Sequence, residues 1–222
     1  MIVKEKSMGV IFDAAKLMEL APNARSGYRV GFENGQEIFD RYNITENRLR
    51  LCHFLAQILH ESGGLAIQFE NLNYSAKRIP QVWPSRFQPK GPLNPKDYEH
   101  NPEKLANEVY GNRMGNANPG DGYRYRGRGL IQLTGRESYQ KATEIVRKHN
   151  PLCPDFVAEP DQVISPEWCI EVAASEWYEK DCNTPADEDN ITKVTIRING
   201  GKIGLAERTE WLTRVKHKFL VG

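Results

Sequence analysis

The sequence predicts a mainly α-helical protein with little sheet, and three observations carry that expectation. Apolar residues recur at helical period across 46–62. Start and stop signals for helices recur along the chain, whereas strand-like character is confined to 123–133. Between 71 and 122, Asn, Pro and Gly are too frequent for any long element.

The elements follow in order. Asp13 is placed to cap a helix to Leu20, with Pro22 just beyond it, and Gly35 to Tyr42 reads as a second short helix. These form a helical lead-in over residues 1–44. Thr45 is placed to cap a helix from about Glu46 to Ser62. At 100° per residue, Cys52, Phe54, Leu55, Ile58 and Leu59 gather around Leu51 as a buried face. His53 and His60 fall on the polar side, Glu61 falls on the border of the apolar arc, and Gly63-Gly64 ends the helix.

Six prolines from Pro80 to Pro102 predict mostly loop, with one helix from Pro102 to Tyr110. Trp83, Phe87 and Tyr98 argue that this loop is packed. YRYRGRGLIQL (123–133) looks strand-like. Thr134 with Glu137 has the form of a capping box for a helix from Gly135 to about Lys148. Ser165-Pro166 opens a helix to about Lys180. Ile191–Ile198 reads as a helix stopped by Asn199-Gly200-Gly201, and Leu205–Phe219 as the last.

With 222 residues and 39% hydrophobic content, the chain can bury a core without metal or disulfide help. A net charge of +1 leaves no electrostatic footprint for bulk nucleic-acid binding. The alternation of Arg124, Arg126 and Arg128 with Tyr123 and Tyr125 is better read as a loop that grips a carbohydrate or supports a cleft. Four cysteines show no zinc spacing, and Cys52 reads as a core residue; a disulfide among Cys153, Cys169 and Cys182 stays open. His60-Glu61 is half of a zincin motif, but position 64 is Gly, so neither metal nor cofactor is expected. Serine-hydrolase and phosphate-loop motifs are missing. The first twelve residues carry no leader-like apolar run, and no segment approaches a membrane span. The expectation is a chain made in the cytoplasm without a signal peptide and without membrane insertion.

The chemistry concentrates at 49–75. Glu61, at the edge of an apolar arc, is expected to be partly desolvated, which favours the protonated form a general acid donates from. A solvated helix-end glutamate remains the competing reading. Glu70, beyond the Gly-Gly turn, can face the same cleft or simply the solvent. A carboxyl pair about 6.5–9.5 Å apart suits inverting glycoside hydrolysis, and about 5 Å suits retaining.

Three blocks in matching order then resemble one family. They are AQILHESGGL (56–65) with ENLNYSA (70–76), YRYRGRGLIQLTGRESY (123–139), and RINGG (197–201) followed by Arg208 and Trp211. Together they resemble the family 19 glycoside hydrolases over residues 45–215, and VWPSRF (82–87) and YGNRMGN (110–116) are similar to its phage endolysin branch. The resemblance implies a lysozyme-like, mainly helical fold of the α+β superfamily, a single domain of two lobes with a cleft. It implies Glu61 as general acid and Glu70 as the base that activates water, with Asp121 and Glu108 as weaker candidates. Thr134 matches the residue that positions the water. Gln132 and Asn199 match sugar-binding positions, and Tyr74 and Arg128 are further cleft candidates. The implied enzyme is a monomeric, inverting glycosidase that cuts β-1,4 bonds of peptidoglycan, acting on the cell wall after release through a separate membrane pore. A chitinase acting on N-acetylglucosamine polymers is the rival, and a non-catalytic sugar-binding module on the same scaffold is the rival of another class.

Overall fold

The computed structural model describes residues 9–220. The expectation of no leader rests on residues 1–12, most of which lie outside the described residues. The described residues form α1 (Ala14–Leu20), α2 (Ser26–Glu33), α3 (Gln36–Arg41), α4 (Arg48–Glu61), α5 (Ile79–Val82) and α6 (Pro102–Tyr110), then α7 (Asp121–Arg124), α8 (Arg136–His149), α9 (Cys169–Glu179), α10 (Asn183–Asp187), α11 (Ile191–Asn199) and α12 (Leu205–Leu220). Among the described residues, β structure is limited to three isolated bridges.

The central element is α4. Every residue from Leu51 to Leu59 is buried, because α12, α10 and α11 pack around it. This corrects the amphipathic expectation: His53 lies at 0% exposure, with Nε2 2.8 Å from Asp189 Oδ1. Its Nε2 is partnered there, which offsets part of the cost of burying the ring, while Nδ1 has no partner among the described residues. The cap of α4 is Asn47, whose side chain accepts from Arg50 N at 2.9 Å. Thr45, the expected cap, instead sits in a 3-10 turn and donates to Asp40.

Other boundaries shift for similar reasons. Asp13 caps α1 as expected. Helix α2, with two glycines, carried no sequence signal. It exists because Tyr28, Gly31 and Phe32 are buried, and a Cβ on Gly31 would lie 2.8 Å from Cys169 Sγ of α9. The capping box at Thr134 does not form: Gly135 (φ +82°) precedes α8, and Thr134 Oγ1 donates to Gln132 O at 3.0 Å. Residues 165–168 turn before α9 begins at Cys169. The strand-like 123–133 segment folds mostly into turns and contributes only bridge residues. All four cysteines are free and buried.

Three hydrophobic clusters result. The largest surrounds α4 and takes in Phe32, Phe39, Phe54, Trp177 and Leu212. A second, with Tyr125, Tyr139, Phe156 and Val163, lies under α8. A third, with Ile79, Phe87, Leu105 and Val109, packs the proline-rich segment against α6. No helix among the described residues is long and apolar enough to cross a membrane.

Candidate active site

Glu61 ends α4, and the chain reverses directly after it. Gly63 (φ +56°), Gly64 (φ +69°) and Leu65 (φ +64°) are consecutive left-handed residues. Glycine takes this region freely, but leucine does so at a cost of order 1 kcal/mol. Ser62 holds the turn: its hydroxyl donates to Ile58 O at 2.6 Å and accepts from Leu65 N at 2.9 Å. The following segment is then tied on one side to the start of α2, where Arg25, just before the helix, donates from Nε to Ala66 O and Tyr28 OH donates to Ile67 O. On its other side Gly129 N donates to Gln68 O at 2.8 Å and Glu70 N to Gly127 O at 2.9 Å. Glu70 is thereby delivered to the loop 127–134.

The two carboxylates meet different partners. Glu61 Oε1 accepts from Arg208 Nη2 of α12, and Arg208 Nη1 donates to Gln57 Oε1, one turn earlier on α4. Arg208 and Gln57 are 2% and 1% exposed, while the Glu61 side chain is 23% exposed. The expectation of a carboxyl desolvated by apolar neighbours is therefore corrected, since its neighbour is a buried guanidinium. Behind Arg208, Gly204 (φ +72°) lies against His60, where a Cβ would come within 2.6 Å of Nε2. Burial and the nearby Arg208 charge push the His60 pKa down, favouring the neutral ring.

Glu70 faces a neutral set of donors. Its Oε2 accepts from Tyr110 OH at 2.7 Å, and its Oε1 from Gly127 N. A Cβ on Gly127 would lie 3.1 Å from Glu70 Cβ and 3.2 Å from Gln132 Oε1, so glycine is what admits both side chains. Gln132 itself sits at φ +51°, with Nε2 on Gly129 O at 2.8 Å. Thr134 donates to Gln132 O, which completes one connected group of Glu70, Gly127, Gln132 and Thr134.

The other candidates sit as follows. Asn199, exposed at the end of α11, donates to Ile203 O at 3.2 Å and shapes the loop that reaches His60. Tyr74 packs edge-on against Trp83, 5.3 Å between centroids, beside the third cluster. Arg128 is 3% exposed, bonded to Arg124 O and Tyr139 OH and paired with Asp161 at 3.1 Å. It holds the loop from inside, which corrects its placement in the cleft. Asp121 is 6% exposed and accepts from the Ala117 and Asn118 amides, and Glu108 pairs with Arg86, so neither joins the two carboxylates. Tyr110 and Gln57 stood out only as members of the family-like segments 110–116 and 56–65, since their partners lie 40 and 151 residues away. Arg208 stood out only within the third family-like block. No group of three His, Cys, Asp or Glu residues able to hold a metal occurs among the described residues.

Solved chitinases share this fold. A chitinase C mutant superposes with a TM-score of 0.59 at 17% identity, and chitinase C from Streptomyces griseus HUT6037 with 0.56 at 18%. Each match covers 93% of this chain and 76% of the other. The chain has the mainly helical, lysozyme-like fold of these chitinases. No protein-family model matches the chain. A Haemophilus influenzae protein described as "glycosyl hydrolase family 19 domain-containing protein" is 40% identical over 164 residues, 73% of this chain and 76% of that one. The chain belongs to glycosyl hydrolase family 19.

Proposed function

We propose that the protein is an endolysin-type glycosidase that cleaves β-1,4 bonds of peptidoglycan strands by single displacement with inversion. The observation that carries this reading is the contrast between its two carboxylates. Glu61 has a cation beside one oxygen, and Glu70 has only neutral donors. The Arg208 cation is placed to offset the charge Glu61 acquires once its proton has left, whereas the neutral donors on Glu70 orient a carboxylate that takes a proton from water. Glu61 gives a proton from Oε2 to the glycosidic oxygen, and Arg208 compensates the carboxylate left behind. Glu70 takes a proton from water as the hydroxyl adds to the anomeric carbon from the opposite face. The Thr134 hydroxyl, already donating to Gln132 O, offers its lone pairs to that water. Gln132, Asn199 and Tyr74 bind the sugars. Gln132 keeps an unfavourable φ of +51°, as residues at functional sites do.

Peptidoglycan is favoured by the endolysin-like ENLNYSA, VWPSRF and YGNRMGN segments. In this reading a monomer synthesised in the cytoplasm reaches the wall through a separate pore. Chitin is the second reading, favoured by the chitinases among the solved neighbours. Incubation with purified peptidoglycan and with chitin oligomers, followed by mass spectrometry, decides between them. New reducing ends at N-acetylmuramic acid are expected, and cleavage of chitin alone overturns the endolysin reading. Glu61→Gln and Glu70→Gln each abolish turnover with the fold intact; substantial activity in either removes that residue's role.

A further inference from the structure

We infer that Tyr110 is a positioning residue for Glu70, fixing the orientation of its carboxylate; this rests on the proposed role of Glu70 as base. Tyr110 OH donates to Oε2 at 2.7 Å while Gly127 N donates to Oε1, so both oxygens have a fixed donor and the carboxylate plane is set. Hydrogen bonds to a carboxylate favour its charged form. Each oxygen still keeps lone-pair capacity for a water.

The donor is itself held at three points. Tyr110 is the last residue of α6, and its carbonyl accepts from Asn116 Nδ2 at 2.9 Å. Asn116 is 2% exposed, and its Oδ1 accepts from Arg136 N of α8 at 2.9 Å. Gly111 next turns back with its N–H on Asn107 O, leaving no room for a side chain: a Cβ would lie 2.4 Å from that oxygen. The ring packs beside the third hydrophobic cluster. Burial first, then the Glu70 charge and hydrogen bond, push the Tyr110 pKa far above its ordinary value; Tyr74 adds to this and Arg113 opposes it. The phenol therefore keeps its proton, and acts as a donor, throughout the range in which a carboxylate base works.

The acid limb of kcat/KM against pH reports the base of the free enzyme. Tyr110→Phe removes only the hydroxyl, and the limb is expected to move up by about one to two pH units, with KM little changed. Site-specific 3-fluorotyrosine at position 110 keeps the ring and strengthens the donor, so it moves the limb down. This variant serves as the test where the Phe enzyme fails to fold. An unchanged limb in either Tyr110 variant, with Glu70→Gln inactive, overturns the role of Tyr110 alone. Turnover near wild type in Glu70→Gln overturns the base assignment, and this inference with it.

Discussion

Arg208→Met separates the structural from the chemical work of the buried guanidinium. Arg208 serves two acceptors, and their surroundings decide the cost of losing it. Gln57 is 1% exposed, and its amide nitrogen already lacks a partner, so the change leaves the whole amide unpaired. An unsatisfied buried acceptor costs about 1–3 kcal/mol. Glu61 is 23% exposed on its side chain. Water replaces much of that pairing, leaving about 1 kcal/mol or less. The expected destabilisation is therefore about 1–4 kcal/mol, or about 2–16 °C in Tm for a chain of this size. Turnover, read as reducing ends released from peptidoglycan or chitin oligomers, falls by about 10²–10³, the range for removing one charge-stabilising donor. Arg208→Lys keeps the charge but has no planar fork to reach both acceptors, so its kcat lies between. The deciding variant is Gln57→Leu combined with Arg208→Met. With both polar partners removed, stability recovers, because the orphaned amide has gone. Turnover does not recover, because Glu61 still lacks its cation. Recovery of turnover together with stability would refute the chemical role of Arg208 and leave it a structural residue.

Three further outcomes follow from the same geometry. Gly127→Ala places a methyl about 3 Å from Glu70 and Gln132 and lowers kcat by tenfold or more with little change in Tm, a 1 Å misplacement being worth about 10² in rate; normal kcat shows that the loop yields freely. Thr134→Val lowers kcat and Thr134→Ser restores most of it; equal activity of the two means that the hydroxyl does not hold the water. His53, at 0% exposure, has its pKa held below the ordinary 6.5 by burial, against the pull of Asp189. The unfolded chain then takes up the proton first, so stability is full above about 6.5 and is lost as pH falls from there toward the folded value. Urea midpoints at pH 7.5 and 5 should show this loss, reduced in His53→Leu and with His60 supplying part of the remainder; an identical slope in the variant refutes it.

Helix ends that depend on neighbouring residues were legible in the sequence. Asp13 before α1, the Pro102 start of α6 and Gly200 after α11 all act over a few residues. Elements decided by distant packing were not. Helix α2 has poor helical composition and is held by burial against α9. The polar face assigned to His53 vanished because α12 and the Asp189 region cover it. Thr134 has the residues of a capping box, yet Met114 O takes the Glu137 N–H and Gln132 O takes the hydroxyl. The same division runs through the candidate site. The Gly-Gly turn and the carboxylates on either side of it lie within ten residues. Arg208, Tyr110 and Gly127 reach them from 147, 40 and 57 positions away, and no local pattern signals that.

That division bears on how such a site works. Glu61 belongs to the large core, where α4 and α12 are packed along their length and hold Arg208 rigidly. Glu70 belongs to the junction of the other two clusters, through Tyr110 on one side and the 127–134 loop on the other. The stretch 62–69 joins the two carboxylates directly, and it is anchored by Arg25, just before α2, and by Tyr28 of α2. The separation of the two carboxylates is therefore set by how the clusters sit against each other, and the sequence distance of nine residues does not determine it. Each carboxylate keeps its own hydrogen-bond partner, Arg208 or Tyr110, whatever the gap between them. Substitutions in the anchors Arg25 and Tyr28, which touch neither carboxylate, are thus expected to change kcat while leaving the Glu61–Arg208 and Glu70–Tyr110 pairs intact.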